Sequence, residues 1–127
     1  STAVRDVWND ADALEWIHIT AAGVDTLLFD ELRDSAVVVT NARGVFDRPL
    51  AEFVLGAVIA HAKDSRTSFA LQARHEWRHR ETRSVTGATA LVVGTGGVGR
   101  EIGKLLRAAG LHVRQGSYTF RRVFGEA

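Results

Sequence analysis

The run Gly94-Thr95-Gly96-Gly97-Val98-Gly99 carries the most specific chemistry in this sequence. It follows the β-branched, apolar stretch Thr89–Val93 and opens a segment whose apolar residues 98, 102, 105, 106 and 109 share one helical face. A G-x-G-x-x-G loop between a strand and a helix binds phosphate for stated reasons. Gly94 permits the tight turn, Gly96 lets bare backbone meet a pyrophosphate, and Gly99 lets helix and strand pack closely. The helix start adds free N–H groups and partial positive charge. Thr95, Gly97 and Val98 complete the loop, and the ligand class implied is a dinucleotide, NAD or NADP. The competing reading is a glycine turn that binds nothing, against which the strand–loop–helix context weighs. No Gly-Lys-Ser/Thr follows, so a P-loop is excluded.

A dinucleotide fingerprint wants an acidic residue about 20 positions after the first glycine, to accept from the ribose 2′-hydroxyl. Arg114 stands there instead, and no acid occurs between Glu101 and Glu126. Arg114, Arg121 and Arg122 could meet a 2′-phosphate, or this tail could be a solvated end. NAD against NADP stays open.

Two other patterns suggest different chemistry. His75-Glu76-Trp77-Arg78-His79 matches H-E-x-x-H, which on a helix would offer two imidazoles to zinc. Arg74, Arg78 and Arg80 crowd a would-be dication site, and only Glu101 offers itself as a third ligand, so no metal is expected. The preferred reading is a basic, exposed helix end with Trp77 packed on the body. Lys63–Arg83 interleaves Arg66, Arg74, Arg78 and Arg80 with Phe69 and Trp77, but Asp64, Glu76 and Glu81 offset it. A dedicated nucleic-acid binder shows a stronger basic footprint, so an ion-paired face is preferred and no nucleic acid is expected.

These residues must be held by a small α/β framework. Glu15–Thr20 reads as a strand, Asp25–Leu32 as a short helix, and Ala36–Thr40 as a buried parallel strand. Pro49, the only proline, suits the first turn of a helix that is apolar nearly all round from Leu50 to Ala62, which predicts burial on more than one side. The pattern turns amphipathic and basic after Lys63. Gly110 is a helix stop, and Leu111–Val113 begins another strand. The 127 residues, 46% hydrophobic and 24% charged with net charge +1, are ordinary for a globular domain and give no sign of a membrane or polyanion partner. Phe53–Ala60, the most apolar stretch, falls far short of the ~20 residues that span a bilayer. Ser1–Asp10 shows no targeting pattern, and cysteine is absent, which excludes a disulfide framework and a thiolate nucleophile. A cytoplasmic location is the expectation.

Four stretches in order, Leu14–Asp25, Val38–Gly44, Pro49–Ala62 with its Ala51-Glu52 pair, and Ala90–Gly99, resemble the D-2-hydroxyacid dehydrogenase family. The resemblance covers roughly residues 10–113 and implies an NAD(P)-dependent oxidoreductase moving hydride between nicotinamide and a small 2-hydroxy or 2-keto acid. It implies that Thr20, Ala21, Ala22 and Gly23 form the loop whose N–H groups receive the substrate carboxylate. Asn41 and Gly44 resemble the turn lining the cleft, and the Pro49 helix resembles a connection that contributes to a homodimer. For Gly23, Gly44 and Asn41, plain turn chemistry is an equal alternative. The family's catalytic Arg, Glu and His lie downstream of the glycine loop, and none of His18, His61, His75, His79 or His112 matches that position. No catalytic residue is therefore assigned, and a non-catalytic dimerising or cofactor-binding partner is the alternative function.

The expected architecture is a parallel-sheet, Rossmann-like α/β chain with two incomplete lobes. Residues 1–85 would be a flavodoxin-like part of the substrate domain ending in a long linking helix over about 49–75. Residues 86–127 would begin the dinucleotide-binding domain with its first βαβ unit.

Overall fold

The computed structural model describes residues 2–116, and Arg121 and Arg122 lie outside them. The chain divides into two compact units, Ser1–Phe46 and Asp47–Ala127. Both are α/β with parallel strands, as expected.

The first unit runs through α1 (Thr2–Asp6), a 3-10 turn at Trp8–Asp10, β1 (Trp16–Ile19), α2 (Asp30–Arg33) and β2 (Val38–Asn41). The two strands pair in parallel from Trp16 opposite Val38 to Ile19 opposite Asn41. Ile17, Leu27, Phe29 and Leu32 form the core, and Trp8 meets Phe29 edge-on with ring centroids 5.1 Å apart. The helix expected over Asp25–Leu32 shrinks to α2. Leu27 and Leu28 instead close a turn on the Val24 carbonyl, and Phe29 is extended (φ −138°, ψ 166°), which turns Leu27 and Phe29 into the same core. The expected buried strand at 36–40 begins later and alternates, Val38 being exposed and Val39 packed on the core, because one face of this two-stranded sheet is covered.

The second unit contains α3 (Asp47–Ala62), α4 (Ser65–Ala73), β3 (Thr89–Val93), α5 (Gly97–Ala108) and β4 (His112–Gly116). β3, α5 and β4 form the expected βαβ unit, with the strands parallel from Thr89 opposite His112 to Val93 opposite Gly116. Val92, Leu106 and Leu111 are its core, and Leu55 and Val58 of α3 pack on it with Ile102, Ala109 and Val113. The stop at Gly110 is as read: with φ +89° its N–H donates to Arg107, and that of Leu111 to Leu106, closing the helix with two carbonyls satisfied. Leu106 and Leu111 touch across this turn in the core, which fixes where β4 starts.

The linking helix expected over about 49–75 is two helices. The break falls at Lys63–Asp64, where Asp64 takes φ +47°, a conformation that Asp tolerates better than most residues, and accepts the Thr67 hydroxyl at 2.9 Å. The contacts also divide the chain before α3 rather than near residue 85, because α3 buries its apolar face on the βαβ unit. That leaves the rest of α3 open. Ala51 is fully buried, but Leu50 and Phe53 are exposed, so burial on several sides is not seen within the described residues. No helix among the described residues is long and apolar enough to cross a membrane.

Candidate functional site

The glycine loop joins the C-terminal end of β3 to the N-terminus of α5, the edge at which open parallel sheets take ligands. Gly94 has φ +117°, a conformation costly for any side chain, and its N–H donates to Gly116 at 2.8 Å, continuing the β3–β4 ladder. Gly96 is the N-cap of α5 and makes no side-chain cap, so the first N–H groups of the helix stay available. A Cβ built on Gly96 would meet nothing within 4 Å, which leaves bare backbone open to an approaching group. A Cβ on Gly99 would overlap the Gly94 carbonyl oxygen and lie 2.9 Å from its carbon. Each glycine thus does what the motif required of it: turn, open approach and close packing. These features fit a pyrophosphate.

Four side chains that reasoning along the sequence did not single out complete the loop. Arg100 Nη1 donates to the Thr95 carbonyl at 3.0 Å and braces the turn. Gln115 Nε2 donates to the Gly99 carbonyl at 2.6 Å, and Arg107 Nη2 donates to Gln115 Oε1 at 3.1 Å, fastening β4 across α5. Asp47, the first residue of α3, sits against Gly97: a Cβ there would overlap its carboxylate, with Oδ1 at 2.9 Å. Local pattern could not find Asp47 or Gln115, because each reaches the loop from another element. Beside Asp47, Arg48 bonds Glu52 on its own helix at 2.7 Å and approaches Glu101 of α5 at 3.7 Å. Hydrogen bonding to Glu52 raises the Arg48 pKa above its ordinary value, so this exposed guanidinium stays charged. Such exposed, solvent-screened pairs contribute little to stability.

Arg114 lies in β4, opposite Leu91 and two residues before the strand ends at Gly116. It is exposed, on the face of the strand opposite that of Val113 and Gln115.

Within the first unit, Ala22, Gly23, Asn41 and Gly44 come together. Asn41 Nδ2 donates to the Ala22 carbonyl at 2.7 Å, and Asn41 Oδ1 accepts from Arg43 N–H at 3.2 Å. Ala42 N–H donates to Ala21 at 3.1 Å, and Gly44 turns the chain at φ +90°. Asn41 therefore makes the local Asx turn and also ties the loop after β1 to the turn after β2. Ala22 and Gly23 are exposed, and among the described residues their N–H groups donate to nothing.

The H-E-x-x-H residues are not on a helix. α4 ends at Ala73, His75 takes φ +54°, and Glu76 N–H closes on Leu71. Glu76 pairs with Arg74 at 3.2 Å, so the two imidazoles are not presented one helical turn apart. The chain then folds back along α4. Arg80 pairs with Asp64, and Arg83 N–H reaches the Ala62 carbonyl at 3.0 Å. A cavity of about 670 Å³ lies inside this fold-back, lined by Leu71, His75, Trp77 and Arg80 among others. Trp77 is 93% exposed rather than packed on the body, because the fold-back is held by ion pairs and backbone bonds instead of apolar contact. Within the basic stretch, Arg74 and Arg80 are ion-paired, with Glu76 and Asp64 respectively.

Comparison with known proteins places this geometry in a family. Residues 55–122 match the model of the D-isomer specific 2-hydroxyacid dehydrogenase NAD binding domain. The chain is 27% identical over 111 residues to a D-3-phosphoglycerate dehydrogenase of Methanocaldococcus jannaschii, covering 86% of the chain and 21% of that protein. Among solved structures, a D-isomer specific 2-hydroxyacid dehydrogenase family protein from Aeromonas salmonicida superposes with a TM-score of 0.77 at 28% identity, covering 88% of this chain and 36% of its own. A D-isomer specific 2-hydroxyacid dehydrogenase from Xanthobacter autotrophicus Py2, in complex with NADPH and MES, gives 0.61 at 29% identity, covering 82% and 34%. The chain thus spans between about a fifth and about a third of the length of these relatives. Its match over the loop and both strands of the βαβ unit, with each motif glycine in its required role, means that the chain belongs to the D-isomer specific 2-hydroxyacid dehydrogenase NAD-binding family.

Proposed function

We propose that this chain is part of an NAD(P)-dependent D-2-hydroxyacid dehydrogenase and supplies the pyrophosphate end of its cofactor site. The observation that carries the reading is the open backbone at Gly96 above an uncapped α5, inside the matched family region. Gly94, Thr95, Gly96, Gly97, Val98 and Gly99 hold the phosphates by backbone N–H groups. Bound nicotinamide supplies or accepts the hydride. In the first unit, Ala22 and Gly23 offer free N–H groups to a substrate carboxylate, and Asn41 and Gly44 hold that loop in shape. The substrate class is a small 2-hydroxy or 2-keto acid. The first unit, through Phe46, supplies the substrate lobe, and the exposed Leu50 and Phe53 of α3 are the surface on which a homodimer forms.

The cofactor preference follows from charge at the ribose end. Arg114 suits a 2′-phosphate better than a 2′-hydroxyl, and the sequence puts two further cations, Arg121 and Arg122, shortly after it. Titration of the purified chain should show tighter binding of NADPH than of NADH at low salt, with the gap narrowing as salt is added. A clear NADH preference at low salt would refute the arginine assignment. Binding of neither would refute the dinucleotide site.

The second reading, a non-catalytic cofactor-binding partner, is favoured by the positions of the histidines in the second unit. His112 opens β4, at the end away from the loop, His61 stands about 20 Å along α3 from Asp47, and His75 and His79 lie in the fold-back after α4. No side chain described here is assigned as proton donor, and missing general acid–base help costs ~10²–10⁴-fold. The 127-residue chain is expected to turn over pyruvate, glyoxylate or hydroxypyruvate with NADH or NADPH well below about one per second. Turnover at or above that rate would place the catalytic machinery among residues read here as structural.

A further inference from the structure

Asp47 places a second, fixed anion at the loop that is to receive the pyrophosphate. It is the first residue of α3, and its carboxylate fills the space a side chain at position 97 would take, against the first residue of α5. Two helix N-termini therefore meet at one carboxylate, and each favours negative charge there. Asp47 is half-buried, and among the described residues it has no ion pair or hydrogen bond. The neighbouring cations are engaged elsewhere: Arg48 with Glu52 and Glu101, and Arg100 with the Thr95 carbonyl. The charge of Asp47 is thus uncompensated except by the helix ends that the dinucleotide phosphates also need. Gly96, one residue earlier, stays open, so the carboxylate flanks the phosphate path without blocking it.

We propose that Asp47 is a built-in competitor for the positive N-terminus of α5, holding the affinity of the site for dinucleotides low and stabilising the loop when no phosphate is bound. The inference rests on the dinucleotide reading above. Its physical content is like-charge repulsion at short range in a part-exposed site, which is enough to change a dissociation constant about tenfold and weakens with salt.

The test compares the wild-type chain with Asp47→Asn, which keeps the size of the side chain against Gly97 and removes its charge. In calorimetry at low salt, Asp47→Asn should bind NADH and NADPH about tenfold more tightly, while adenosine, which carries no phosphate, should bind both proteins equally. High salt should close the gap. Without ligand the variant should melt a few degrees lower, and inorganic pyrophosphate should raise its melting temperature more than that of the wild type. Equal or weaker dinucleotide binding by Asp47→Asn, with the wild type binding normally, overturns the role of Asp47 and leaves the cofactor site intact. Equal tightening for adenosine also overturns it, because the loop would then have rearranged. If both folded proteins ignore dinucleotides and pyrophosphate alike, the dinucleotide site fails and this inference with it.

Discussion

Gly99→Val should unfold the second unit, or leave it so weakened that it melts near room temperature. Helix propensity alone argues the other way, since replacing a helical glycine with a residue that has a Cβ gains up to about 1 kcal/mol. Packing decides the sign. The new Cβ would overlap the Gly94 carbonyl oxygen, which is backbone and cannot rotate away. Gly94 is held in turn by its own bond to Gly116 and by φ +117°. Relief requires α5 to shift off β3, and that opens the Val92–Leu106–Leu111 core and breaks the Gln115 bond to the Gly99 carbonyl. Overpacking of this kind costs typically ~1–3 kcal/mol, more where backbone meets backbone. A unit of this size has a total stability of only about 4–12 kcal/mol. Gly99→Ala should lower the urea midpoint, and Gly99→Val should lower it further and reduce far-UV CD at 25 °C. An unchanged or raised midpoint for Gly99→Ala would mean that the close approach of α5 and β3 is not a constraint.

Gly96→Val should have the opposite profile, with the fold kept and dinucleotide binding lost. Gly96 lies at φ −68°, ψ −174°, extended backbone open to any residue, and a Cβ there meets nothing within 4 Å. CD and melting temperature should therefore be nearly those of the wild type. A valine would stand where the pyrophosphate must approach the helix N-terminus, so affinity for NADH and NADPH should fall by at least about a hundredfold, equivalent to ~2.7 kcal/mol. Calorimetry finding equal affinity in the two proteins would remove the phosphate loop from the function. The pair of variants separates two roles within one motif, since Gly99 serves the fold and Gly96, three residues earlier in the same pattern, serves the ligand.

What could be read along the chain was what short-range physics controls. The strand–glycine loop–helix order, the stripe 98, 102, 105, 106 and 109, and the stop at Gly110 depend on periodicity and on backbone conformations open mainly to glycine, and all are found in place. Family membership was legible for the same reason, because several such local patterns occurred in one order. Tertiary structure decided the rest. The break of the linking helix at Asp64 and the fold-back of residues 74–83 follow from partners such as Arg80 and Ala62, distant in sequence from the residues they hold. The apolar Leu50–Ala62 helix keeps an open face because only one side meets the βαβ unit, and hydrophobicity does not say how many neighbours a helix will find. Asp47 and Gln115 reach the glycine loop from α3 and β4 through space, so no spacing in the sequence could announce them. A local pattern determines which backbone can bind phosphate, but the charge that phosphate meets there is set by whichever side chains the fold brings to the same helix end.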